Sequence, residues 1–148
     1  ARLGVDRWCA LIGARAQCSG ALLVVMAGTA TTIDSLDPMG NFLGGLILPG
    51  QHLMLSALGR DTADLPFAKG QHQHFPRCTE DAIVSGALEA QIGAIQRAWA
   101  RLPGPRGACL LSGGNAGLLA KHLDLEHQCL DNLPLLGLRQ VALSPCTT

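Results

Sequence analysis

A mixed α/β sheet flanked by helices is the fold class this sequence predicts, and three observations carry it. Apolar or β-branched runs of strand length follow closely on one another at 21–27, 31–36 and 42–48. The last two are joined by Asp37-Pro38-Met39-Gly40-Asn41, a hairpin turn with proline and glycine at typical places. A further strand at 108–111 lies beyond a long helical segment, and such strand-to-helix crossovers call for a mixed sheet covered by helices.

The remaining elements follow from period and breakers. From Asp6 to about Ala16, apolar residues such as Trp8, Leu11 and Ile12 recur at the spacing of a helix with one buried face. Pro49-Gly50 ends the first sheet run, 51–58 reads as helical, and 59–78, with Pro66, Gly70 and Pro76, reads as a long loop. The longest periodic segment runs from Thr79, read as its N-cap, to about Leu102, with acids in its first turn. Pro103-Gly104-Pro105 stops it. A helix at 115–123, a weak strand at 127–130 and a last helix at 135–143 complete the order.

Composition fits one domain. With 148 residues, 48% hydrophobic and 15% charged, the chain can bury a core, and a formal net charge of +0 shows none of the basic excess of a nucleic-acid binder. No apolar run approaches the roughly 20 residues that span a bilayer, and no signal peptide opens the chain, so no membrane partner and a soluble, cytoplasmic protein are expected. Cys9, Cys18, Cys78, Cys109, Cys129 and Cys146 form no C-x-x-C pair and are expected to be reduced thiols.

The most informative stretch is Ala27-Gly28-Thr29-Ala30-Thr31-Thr32-Ile33-Asp34, directly after the apolar run 22–26. Backbone N–H groups and the hydroxyls of Thr29 and Thr31 collect where one strand turns into the next, and Gly28 lets a ligand approach the backbone. Threonine is also a good strand former, and these residues alone leave both readings open. Four more segments add to it: Gly4-Val5-Asp6-Arg7, the run Gly44-Gly45-Leu46-Ile47-Leu48-Pro49-Gly50, Thr79-Glu80-Asp81-Ala82-Ile83, and Leu111-Ser112-Gly113-Gly114-Asn115-Ala116. In order and content these resemble the type III pantothenate kinases, the family that also contains the Bvg accessory factors.

The resemblance implies a ribonuclease-H-like domain of the acetate and sugar kinase, Hsp70 and actin superfamily, whose element order the chain matches. It covers only the second half of a family member, and no D-x-G-N-T phosphate loop is present. The expectation is therefore that residues 1–148 form the second, substrate-side domain of a two-domain kinase, with the first, ATP-binding domain absent from this chain. Phosphoryl transfer from ATP to pantothenate needs a carboxylate at the acceptor hydroxyl and fixed positive charge for the anions. By resemblance Asp6 is the general base, Arg7 holds the pantothenate carboxylate, and Gly4 and Thr79 belong to the same substrate site, with Gly44 and Gly45 leaving room beside it. Gly28, Thr29, Thr31, Gly113 and Gly114 are implied at ATP. Mg²⁺, a monovalent cation such as K⁺ and a homodimer are implied for the intact enzyme, and the apolar surface of the helix from Thr79 also suggests association.

One departure stands out. Met26 occupies the position of the aspartate that opens the family's D-x-G-T-A-T-T segment, in its cation and phosphate region, and a thioether does not replace a carboxylate on a hard cation. Asp61 stands where some relatives place a histidine near substrate. His72, His74 and Cys78 offer a zinc-like spacing without a fourth ligand, which reads better as a polar loop. Three functions follow: a pantothenate kinase of coenzyme A biosynthesis, a Bvg accessory factor-type regulator of virulence gene expression with a degenerate kinase site, or a plain interaction domain.

Overall fold

The computed structural model describes residues 3–61 and 70–143, without the side chain of Asp61. The elements run α1 (Val5–Gln17), β1 (Ala21–Ala27), β2 (Ala30–Leu36), β3 (Phe42–Pro49), α2 (Gln51–Asp61), α3 (Thr79–Ala100), β4 (Arg106–Ser112), α4 (Ala116–Ala120), β5 (His127–Cys129) and α5 (Leu133–Leu143). All ten are those expected, with ends displaced by a few residues. The helix α2 continues three residues past its expected end because one glycine, Gly59, costs a helix only about 1 kcal/mol. The rest of the expected loop, 62–69, lies outside the described residues.

The sheet has the order β3-β2-β1-β4-β5. The pairs β1–β2 and β2–β3 are antiparallel, and β1–β4 and β4–β5 are parallel, as adjacent hairpins and helical crossovers require. Alternation along β1 divides the core in two. Leu22 and Val24 face α1 and α5, burying Ala10, Leu11, Ala14, Leu110 and Leu133. Leu23, Val25 and Ala27 face α3 and α4, burying Leu88, Ile92, Ile95 and Leu119.

Two expectations change here. Cys78, in extended backbone, holds the N-cap position of α3 and Thr79 is the first helical residue, so the hydroxyl expected to cap the helix lies one position inside it. Most of the apolar excess on α3 meets the core of the domain: Ala87, Leu88, Ile92 and Ile95 are buried, Ala94 and Trp99 pack against the same core, and Ala90 is exposed. Larger exposed apolar side chains lie on β3, at Phe42, Leu43, Leu46 and Ile47.

The helices α1 and α5 pass backbone to backbone. A Cβ on Gly13 would stand 2.9 Å from the Gly137 nitrogen, and one on Gly137 would strike the Cys9 carbonyl. The five described cysteines, Cys9, Cys18, Cys78, Cys109 and Cys129, are free thiols. Burial pushes the Cys109 thiol up to about 12, with the nearby Cys129 adding to the shift.

Candidate active site

Two groups of predicted residues assemble, one at the end of β1 and one at the start of α1. The first is the turn between β1 and β2. Gly28 N–H donates to the Ala30 carbonyl at 3.0 Å, and Gly50 N–H donates to Thr29 at 2.8 Å, so the end of β3 closes on the turn. From the other side comes the loop after β4. Asn115 donates its backbone N–H to Ala27 at 3.0 Å and its side-chain amide to the Gly28 carbonyl at 3.4 Å. Gly113, at φ +98, lies where a Cβ would stand 2.5 Å from the Ala27 oxygen, so only glycine allows this approach. Gly28, Thr29, Gly113 and Gly114 are thus brought together with backbone at the surface, and Asn115 is the residue that ties the loop to the turn.

Alternation separates the threonines. Thr31 lies opposite Ala27 and faces α3, where its buried hydroxyl donates to Gln91 Oε1 at 2.6 Å. It points away from the face that carries Met26. Thr32 lies opposite Met26 and shares its face, and its buried Oγ1 has no hydrogen-bond partner. Ser112 is the neighbour of Met26 on β4. Met26 itself is half-buried against the α1 core.

The second group opens α1. Gly4 is the N-cap residue in extended backbone and Asp6 is exposed in the first turn. A Cβ on Gly4 would stand 2.8 Å from Asp6 Oδ1, so glycine leaves that carboxylate free to turn. Arg7 reaches across to β2: its Nε donates to Asp34 Oδ2 at 3.0 Å and its Nη2 donates to Asp34 Oδ1. The hydrogen bond that Arg7 donates to Asp34, against a smaller burial penalty, holds the Arg7 guanidinium above its ordinary pKa, and the charges of Asp34 and Asp6 reinforce it. Asp34 was not singled out from the sequence. Its signal was a carboxylate two residues from Thr32 and Leu36 in a strand, a register that faces the core and demands a cation.

Asp34 lies opposite Val24, Met26 follows on the same side of β1, and the Gly28 turn comes just beyond the strand's end. At about 3.3 Å per residue, the acceptor group and the turn are some 13 Å apart along one strand, with Met26 between them. Thr79 is elsewhere in the described structure. It is exposed and lines a groove of about 660 Å³ between α2 and α3, with Pro49, Leu53 and Ile83. His72 faces Glu89, Nε2 to Oε1 2.8 Å, and stacks near His122; no group of metal-ligating side chains suited to an ion occurs among the described residues.

This sheet order, with helices on both faces and a glycine turn at the end of β1, is a domain fold of the actin and Hsp70 kind. The ParM protein of psk41 superposes with a TM-score of 0.54 over 90% of this chain and 46% of that one, at 13% identity. The chain belongs to the type III pantothenate kinase family, which matches residues 1–101. A type III pantothenate kinase of Dechloromonas aromatica is 61% identical over 96% of this chain and 60% of its own length, and one of Aromatoleum aromaticum is 56% identical over 96% and 59%. A putative Baf family transcriptional activator from Campylobacter jejuni superposes with a TM-score of 0.71, at 26% identity, over 94% of this chain and 63% of that one. The chain thus spans about 60% of the length of the curated relatives it matches.

Proposed function

We propose that the intact protein transfers the γ-phosphoryl group of ATP to the hydroxyl of pantothenate, forming 4′-phosphopantothenate, and that this chain is its substrate-side domain. The observation that carries the reading is the placement of Asp6 and Arg7 at the start of α1, on the sheet face that carries Met26 just before the Gly28 turn. Asp6, exposed, orients the acceptor hydroxyl and takes its proton; Arg7 binds the carboxylate at the other end of pantothenate. Gly28, Gly113 and Gly114 let ATP lie against backbone, and Thr29 offers a hydroxyl at the turn. The kinase names of the curated relatives support this reading over the regulatory one. What favours the regulator is Met26.

The Mg²⁺ and K⁺ implied for the family do not fit the residues at Met26. Thr32 and Ser112 supply hydroxyls there, but a thioether stands where a hard cation needs a carboxylate. A cytoplasmic location and a homodimer belong to the same proposal. No helix among the described residues is long and apolar enough to cross a membrane. The support for association is the edge strand β3, where Phe42, Leu43, Leu46 and Ile47 are exposed. Sedimentation of the intact protein tests it, and a monomer at micromolar concentration opposes it.

The test of function is ATP-dependent formation of 4′-phosphopantothenate by the intact protein. Absence of turnover while both substrates bind would leave the regulatory reading.

A further inference from the structure

We infer that Asp34 is a positioning residue for the acceptor site: it holds one edge of the Arg7 guanidinium so that the other edge is presented, already oriented, to the substrate carboxylate. The inference deepens the kinase reading and rests on it. Asp34 lies in the middle of β2, and its side chain is 1% exposed against 15% for Arg7. A carboxylate so placed is tolerated only when paired. The pairing is directional. Nε and Nη2 of Arg7 take the two oxygens of Asp34, and Nη1 has no partner among the described residues.

Gly45 completes the arrangement. It lies opposite Asp34 in the β2–β3 register, and a Cβ there would stand 2.6 Å from Arg7 Nη2 and collide with Asp34 Oδ1. The strand that borders the pair therefore has no side chain at the one place where a side chain would displace the guanidinium. Charge leads to the same conclusion. Asp34 compensates the charge of Arg7, and Asp6 adds another negative group beside it. An anionic substrate is then recognised through directed N–H groups of a fixed fork rather than through net positive charge. Asp34 does not need to touch the substrate to have this effect.

The test compares the intact wild-type protein with Asp34→Asn and Gly45→Ala, using pantothenate and its neutral primary amide as acceptors. Gly45→Ala keeps both charges and displaces the pair, carboxylate and guanidinium together. For both variants the expected result is a rise in KM for pantothenate of about tenfold or more, with kcat within about threefold and kcat/KM for the amide nearly unchanged. Equal losses for the two acceptors would mean that the pair only stabilises the fold, and an unchanged KM for pantothenate would overturn the inference directly. Should the wild-type protein phosphorylate neither acceptor, the kinase reading fails and the pairing is read separately from ¹⁵N-arginine spectra. A slowly exchanging Arg7 Nε–H that becomes fast in Asp34→Asn supports the orienting role of Asp34, and an Nε–H equally fast in both proteins overturns it.

Discussion

The Thr31 hydroxyl donates to Gln91 Oε1 at 2.6 Å across the buried seam between β2 and α3. Gln91 passes the bond on, through its amide nitrogen, to Gln51 Oε1 at 3.0 Å and to the Ala87 carbonyl at 3.3 Å. One side-chain chain thus links β2, α3 and α2. Replacing Thr31 with Val keeps the volume but leaves Gln91 Oε1 without its donor, at a cost of about 1–3 kcal/mol. Urea unfolding of this chain measures that loss. The KM for ATP of the intact protein should not change; a rise in that KM would return Thr31 to the nucleotide site.

Asp6→Asn should remove about 10²- to 10⁴-fold of turnover while pantothenate binding stays within a few-fold, because the amide keeps the size and loses the basicity. Pre-steady-state phosphorylation and equilibrium binding separate the two effects. Near-normal turnover would show that Asp6 is not the base.

Met26→Asp places a carboxylate opposite Thr32, whose buried hydroxyl then gains an acceptor. In the intact protein the expected result is higher pantothenate kinase activity that depends on potassium, since a hard ligand now stands beside the Gly28 turn. A Met26 enzyme already fully active, with no gain from the change, would show that this position needs no carboxylate.

Stability should fall at alkaline pH. The Cys109 thiol has an ordinary value of 9.0 and stands near 12 in the fold, so the unfolded chain releases its proton first. The contribution is complete below about pH 9 and declines as pH rises toward 12. Cys109→Ser, which does not ionise there, should flatten that part of the curve measured by denaturant titration. At neutral pH the exposed Cys78 and Cys129 should react with a thiol reagent well before Cys109 does.

Gly137→Ala forces a methyl group into the Cys9 carbonyl and should destabilise the domain by roughly 1–3 kcal/mol. Thermal unfolding checks it. Gly86→Ala, on α3 where a Cβ meets nothing within 4 Å, is the control and should be neutral or stabilising.

Periodicity and breakers were sufficient for the order of helices and strands, because most runs were long enough to show their period and many were closed by proline or glycine. What escaped was information that depends on which neighbour a side chain meets. Thr31 and Thr32 are adjacent and chemically alike, and only the strand's alternation sends one to Gln91 and the other to Met26. Asp34 could have been recognised as a buried acid in need of a cation, but its partner lies on α1 and is set by tertiary packing. Thr79 carried a capping residue's chemistry, yet the helix begins at Thr79 itself, one residue earlier than that rule assumes. Much of the apolar surface of α3 is covered by the sheet on one side and short helices on the other, which the helical period alone did not show.

The close passage of α1 against α5 also bears on when the protein becomes competent. Asp6 and Arg7 ride on α1, which leaves the ribosome before the strands of the sheet, whereas the backbone of α5 that it packs against, around Gly137, is made after every one of them. Contacts between such distant parts of a chain form late and slowly. During synthesis, then, the nascent polypeptide carries its reactive pair on a helix without a seat, and the acceptor end is assembled only as translation of this region finishes.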